Sequence, residues 1–437
     1  MAEIRAFHGV HYSESLVKDL ASVICPPYDI IPPGMQQELY EQSDYNFIRL
    51  EYTRELPGEK DSSGKYTRAA ATLEEWLKEG ILEVGESPAI YLHDHRFNLQ
   101  GKEYRRRGLV ALVRLAEWYK AVVRPHEGTL TEPKSDRLNL LWALQANTSS
   151  VFTLFADSEQ QVASLLARQE SSKPMLNIQT AGGESHRIWA ITDADVINRI
   201  RNSFTNQPLY IADGHHRYES ALAYSHERRA CSPSTSAEEP YDFVMMTLVD
   251  FADPGLVILP AHRLVRGMSE AALNELLPEL RAFFDVEEVP LNKNEIGRQV
   301  DTLLAKQGDE IKLLLVGLDK EHIQVLRLRD FAAASRMMPY FHTEIYKRLD
   351  VSILDHVILE KLLGLGFEKE ESALSYSYDR VDAVNKVLNR EFQIALLLNP
   401  IESEVIKDIA DAGDRMPRKS TYFYPKVPAG LVFHKMV

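Results

Sequence analysis

Apolar positions along the chain follow two spacings, and the alternation between them predicts an order of strands and helices. Ala70, Leu73, Trp76 and Leu77 fall at helical spacing and predict a helix from about Lys65 to Gly80. Ala89 to Phe97 reads as a strand. The chain turns between Asn98 and Glu103 through Gly101, and Arg105 to Leu115 returns as a second strand, a hairpin. Met175 to Thr180 and Arg187 to Thr192 predict another hairpin across Ala181-Gly182-Gly183. Leu138 to Ala146 is a short helix candidate and Ser150 to Phe155 a strand. Pro208 to Ala212 is a short apolar run, and a helix is expected from Arg217 to about Arg229.

Further along, Phe243 to Val249 and Leu256 to Leu259 read as buried strands and Ser269 to Phe284 as an amphipathic helix. Ile311 to Val316 and His322 to Leu328 pair across Gly317-Leu318-Asp319-Lys320. Val351 to Leu363 reads as a helix, Phe392 to Leu398 as a strand, and Ile401 to Ala412 as a helix stopped at Gly413. Three stretches read as loop. Pro26-Pro27 and Pro32-Pro33 bracket Tyr28 and Asp29. Arg124 to Arg137 is polar, and Cys231 to Pro240 is rich in Ser, Pro and Glu. Strands and helices alternate with frequent hairpins, so the expected class is α+β (mixed α/β) and not a purely parallel doubly wound sheet.

With 437 residues the chain exceeds what one core organises, and two or three domains are expected. The hydrophobic fraction of 45% and charged fraction of 26% are those of a folded globular protein. A net charge of −14 disfavours a nucleic-acid partner. Cys25 and Cys231 fit no metal spacing and read as reduced thiols of a cytoplasmic protein. No signal-like apolar segment opens the chain, and no window approaches the length of a membrane span. No membrane partner is therefore expected, and oligomeric state is not legible.

The sharpest local pattern is Asp213-Gly214-His215-His216-Arg217 between the apolar run and its helix. A strand, a glycine turn and a helix N-terminus form a ready anion site, because the first helical N–H groups lack internal partners and the helix dipole is positive there. Arg217 can fork onto a phosphate, and Asp213 can ligate Mg²⁺ or merely cap the helix. His215 and His216 can donate to phosphate oxygens or carry a proton. A second group is Arg124-Pro125-His126-Glu127-Gly128-Thr129, followed by Glu132-Pro133-Lys134-Ser135-Asp136-Arg137. Glu127 can act as a general base and Lys134 and Arg137 can neutralise phosphate charge, or the stretch is a solvated charged loop. A third, Met416 to Lys426, gathers Lys419, Ser420, Lys426 and three aromatics. It either closes over a phosphate or ring, or is a terminal strand with core aromatics. No Walker A loop, G-x-G-x-x-G, H-E-x-x-H or G-x-S-x-G is present in the sequence.

These motifs carry a resemblance. Val23-Ile24-Cys25-Pro26-Pro27-Tyr28-Asp29, Asn46 to Leu50, His126 to Arg137, Ile211 to Leu222, Asp253 to Leu264 and Met416 to Gly430 resemble the blocks of domain-of-unknown-function family 1015. That family is similar, more distantly, to the ParB/sulfiredoxin-like superfamily of nucleotide binders and its free-serine kinases. Pro125-His126-Glu127 and Asp213 to Arg217 match two segments of those kinases. The resemblance implies a ParB/sulfiredoxin-like catalytic domain with insertions over residues 1–250, with an extra N-terminal segment, and a C-terminal α/β domain over 251–437. It implies Glu127 as the base that activates a substrate hydroxyl, and Asp213, His215 and His216 around the transferred phosphate. Gly214, Arg217, His126, Lys134, Arg137, Lys419 and Ser420 would hold the nucleotide, and Asp213 the Mg²⁺. The expected partners are ATP or ADP and a small hydroxyl metabolite, first free L-serine. The rival expectations are a nucleotide-binding regulator without phosphoryl transfer and a metal-dependent phosphoesterase or nuclease.

Overall fold

A computed structural model describes residues 2–56, 63–231, 236, 238–319, 321–366 and 373–436. The chain divides into two compact units. The first comprises the residues up to Pro125, Thr129–Val257 and those from Pro425 onward, and the second His126–Gly128 with Ile258–Tyr424. No helix among the described residues is long and apolar enough to cross a membrane.

In the first unit the strands are β1 Ile4–Arg5, β2 Gly9–Tyr12, β3 Leu82–Val84, β4 Ile90–Leu99, β5 Lys102–Arg114 and β6 Val123–Pro125. They continue with β7 Ala146–Asn147, β8 Val151–Phe155, β9 Leu176–Gln179, β10 Ser185–Ile191, β11 Leu209–Asp213 and β12 Phe243–Asp250. The larger sheet has the order β6-β11-β8-β12-β5-β4-β10-β9, with β1 added to β5. Only β6 with β11 and β8 with β12 run parallel in it. The expected hairpin is β4–β5, closed by Gln100 and Gly101 at φ of 51° and 79°. Two successive positive-φ residues match the right-handed twist of the strands they join. The hairpin expected at Ala181-Gly182-Gly183 is β9–β10.

The chain's last strand, β21 Phe433–Lys435, lies between β2 and β7 in a second sheet of order β3-β2-β21-β7. Residues from Pro425 onward therefore complete the first unit, and a single cut after residue 250 does not separate the two.

The first-unit helices are α1 Pro33–Gln42, α2 Ile48–Glu51, α3 Ser63–Lys78, α4 Thr131–Leu144, α5 Gln161–Gln169, α6 Ala194–Phe204 and α7 His215–Cys231. Two of the loop expectations are corrected here. Pro33 occupies the first position of α1, where its missing N–H costs nothing and its fixed φ suits the helix. Pro133 likewise sits in the first turn of α4, so Glu132 to Arg137 is helical and not loop. Of the expected loop Cys231 to Pro240, residues 232–235 and 237 lie outside the described residues, as does Lys320 of the turn after Gly317.

The second unit is built on a six-stranded antiparallel sheet. Its strands are β14 His262–Val265, β15 Phe284–Pro290, β16 Lys312–Val316, β17 His322–Leu328, β18 Leu374–Ser377 and β19 Ile394–Leu397. Their order is β15-β17-β16-β19-β14-β18. Leu264, Leu314, Val316, Val325 and Leu397 form its core with Val300 and Val384 from covering helices. Ser269 caps the expected amphipathic helix, Glu270–Phe283, by accepting from the Ala272 N–H at 3.2 Å. The mixed helices and antiparallel-rich sheets of both units make the protein α+β.

Candidate active site

Ile211 is fully buried and pairs with Pro125 on one side and Thr153 on the other. Between Ile211 and Asp213 the register with β8 slips, and the chain leaves the sheet through Gly214 at φ +88°. A side chain at Gly214 would lie 2.9 Å from Arg217 Nε, so the glycine supplies both the left-handed turn and room for the guanidinium. α7 starts at His215, and the dipole's positive end faces this turn.

Arg217 reaches back over the turn. Its NH2 donates to Asp213 Oδ2 at 2.7 Å and its NH1 to the Ser150 carbonyl. Arg217 Nε is buried and has no hydrogen-bond partner. Lys426 donates to Asp213 Oδ1, and its ammonium is 3.9 Å from Asp29 Oδ2. Burial alone would raise the Asp213 carboxyl, but the Lys426 and Arg217 charges outweigh it and hold Asp213 below the usual carboxylate range. Burial would likewise lower Lys426 and Arg217, and the facing carboxylates, Asp213 first, hold both above their ordinary values. All three groups are therefore charged at neutral pH. Asp213 is neither a plain helix cap nor an open metal ligand, because a cation already holds each oxygen. The residues present do not fit a Mg²⁺ on this carboxylate.

Tyr28 and Asp29 belong to this setting, although proline spacing marked their segment only as loop. Burial pushes the Tyr28 hydroxyl up to about 12, against the lowering charges of Arg137 and Arg217. The Arg137 guanidinium lies 4.0 Å above the Tyr28 ring. Arg137 also donates to the Glu51 carbonyl at 2.8 Å and pairs with Asp136. A cavity of about 30 Å³ is lined by Arg137, Arg217, Glu51, Thr148 and Ser149 among others. It has room for a water or two. The Ser149 hydroxyl there is buried without a partner, like Arg217 Nε.

The other expected residues of the first unit serve α4 and α7. His216 Nε2 accepts from the Leu130 N–H at 2.9 Å. Thr129 donates to Glu219 at 2.6 Å, Ser220 to the Lys134 carbonyl at 2.8 Å, and the Lys134 ammonium is 3.8 Å from Glu219. Lys134 therefore pairs along the flank of α7. His215 is buried, and its charge when protonated acts on Asp213.

His126, Glu127, Lys419 and Ser420 lie in the second unit. Glu127 Oε1 accepts from the Ser420 N–H at 3.2 Å and the Thr421 hydroxyl at 3.3 Å. His126 Nε2 is 3.0 Å from the Thr421 hydroxyl, and its carbonyl accepts from the Met416 N–H at 2.8 Å. Lys419 takes a φ of +55° at the turn between them. The structure thus brings the Pro-His-Glu segment and the Arg-Lys-Ser-Thr segment together. Sequence spacing had left that pairing open.

The family model described as "Protein of unknown function (DUF1015)" matches residues 4–352. The chain belongs to the DUF1015 family. No curated protein matches this DUF1015 chain. Among solved structures it is similar to a free serine kinase in complex with AMP, at 12% identity and a TM-score of 0.35, over 71% of this chain and 89% of that one. A conserved hypothetical protein from Pyrococcus furiosus matches at 12% identity and a TM-score of 0.34, over 70% and 90% of the two chains. SbnI from Staphylococcus aureus with a C-terminal truncation matches at 9% and 0.34, over 73% and 84%.

Proposed function

We propose that this chain binds the phosphates of a nucleotide, ATP or ADP, at the start of α7 and transfers a phosphoryl group to the hydroxyl of a small metabolite, free L-serine first. The observation that carries the reading is Arg217. It is a mostly buried guanidinium with a buried, unpartnered Nε, folded over a glycine turn at a helix N-terminus and flanked by a second mostly buried cation, Lys426. Phosphoryl transfer is mostly positioning and charge neutralisation, and these groups supply both. The acceptor oxygen attacks the terminal phosphorus, the bond to the bridging oxygen breaks, and the nucleotide leaves with one phosphate fewer. Glu127 is the proposed acceptor of the hydroxyl proton, on the resemblance of Pro125-His126-Glu127 to the kinase segment. Charge neutralisation is assigned to Arg217 and Lys426, and no step runs through a metal on Asp213.

One observation favours a second reading, nucleotide binding without transfer. Both Asp213 oxygens are engaged by cations, so this carboxylate is not open to hold a metal or take a proton in a transfer step.

Phosphorus NMR of the full chain with ATP or ADP, with and without Mg²⁺, L-serine and a panel of hydroxy compounds, separates the two. An acceptor-dependent phosphomonoester signal is expected, lost in Glu127→Gln while nucleotide binding persists. Binding with no product from any acceptor moves the conclusion to the second reading, and absence of binding overturns both.

A further inference from the structure

β4 and β10 pair so that His95 stands opposite His186, with His93 two residues along on the same face. Residues directly opposite on paired strands share a face, so all three imidazoles project to one side of the sheet. The opposite face of β4, through Ile90 and Leu92, packs into an apolar core. The three histidines are almost fully buried, at 3%, 1% and 1% exposure, where a sheet ordinarily buries aliphatic side chains. His93 Nε2 is 3.1 Å from His186 Nδ1. Glu184 closes the group: its Oε2 is 2.7 Å from His95 Nε2 and 3.8 Å from His186 Nε2. One ring nitrogen from each histidine lies within 4.8 Å of the others.

We propose that His93, His95 and His186, with Glu184 as the fourth ligand, form a binding site for one divalent transition-metal ion of the zinc class. A tetrahedral ion with metal–ligand bonds near 2.0–2.1 Å sets its donor atoms about 3.4 Å apart, and the three imidazole donors, all within 4.8 Å of one another, reach that spacing by small ring rotations. Three imidazoles and one carboxylate suit zinc, cobalt, nickel or copper, and do not suit magnesium or calcium, which take oxygen. Ligation needs neutral imidazoles. Burial first holds all three histidines below their ordinary value, followed by the His186 and then the Arg106 charge for His93 and His95 and by the Arg106 charge for His186, which sits at about 3. On binding, each ring keeps one hydrogen, on the nitrogen that does not ligate, so no imidazole releases a proton. For His95 that nitrogen is Nδ1, which Arg106 now contacts at 3.1 Å. Arg106 gives up that contact and keeps its hydrogen bond to the Pro425 carbonyl, 2.7 Å. The ion enters from the side of Glu184, whose side chain is 31% exposed while that of His95 is 1%.

The test is titration of the metal-free full chain with Co²⁺, followed by its visible spectrum. One equivalent per chain is expected, with the intense absorption of four-coordinate cobalt, removed by Zn²⁺ and untouched by excess Mg²⁺. His93→Ala with His186→Ala should abolish the spectrum. Glu184→Gln, at a partly exposed position that leaves the buried histidines in place, should weaken binding at least about tenfold. Wild-type chain that binds no cobalt, or binds it only in six-coordinate form, overturns the site. So does a spectrum that survives in the double-histidine variant.

Discussion

Lys426 and Asp213 are 213 residues apart in the chain and share a hydrogen bond in a partly buried place. The lysine was visible as one cation in a run of several, but no local pattern names the carboxylate it meets. The glycine turn between strand and helix was legible because Asp213, Gly214 and Arg217 fall within five residues. Lys426→Met removes a charged hydrogen bond but leaves Asp213 paired with Arg217, so unfolding free energy in urea should fall by about 1.5–3 kcal/mol. The pH dependence follows from Asp213, whose folded pKa lies below its unfolded one. Its ionised form stabilises the fold above the unfolded value of about 3.9, and that contribution is lost as pH falls from there toward the folded value. In Lys426→Met the folded pKa moves up, so acid titration should remove less stability below about pH 4 than in wild type. Arg217→Lys keeps the charge but not the fork that spans Asp213 and Ser150. Nucleotide affinity measured by calorimetry should fall at least tenfold, about 1.4 kcal/mol.

Elements were legible where their signals were local. The β4–β5 hairpin was announced by Gly101 between two apolar runs, and β11 and α7 by the glycine between strand and helix. α4 was half missed, because its first turns, Glu132 to Arg137, are polar and carry no apolar spacing. The β4–β5 turn holds Gln100 at a φ of 51°, exposed and ahead of Gly101. Gln100→Asn would give the residue pair this turn favours and should raise stability by about 0.5 kcal/mol, read as a small upward shift in Tm. At the junction of β11 and α7 the opposite holds. Gly214→Ala places a methyl group against Arg217 at positive φ, and should cost roughly 1–2 kcal/mol and weaken nucleotide binding together.

On the scale of the whole molecule, the α+β class followed from alternating spacings, but the path of the chain did not. Nothing in the periodicity of Phe433–Lys435 tells which strands will flank it, since strand partners are chosen by packing across long sequence separations. A chain ending at Tyr424 loses β21 from between β2 and β7, along with Lys426. Such a truncation should fail to give a cooperative thermal transition for the first unit. Size-exclusion chromatography should find it aggregated through its opened sheet edges. The placement of β21 also sets an order in time. As the ribosome releases the chain, Gly9 to Tyr12 emerges more than four hundred residues before its neighbour in the sheet. The slot beside it stays vacant until that neighbour emerges. Because the same returning segment brings the lysine that faces Asp213, no nascent chain halted short of that segment can carry the assembled charge cluster.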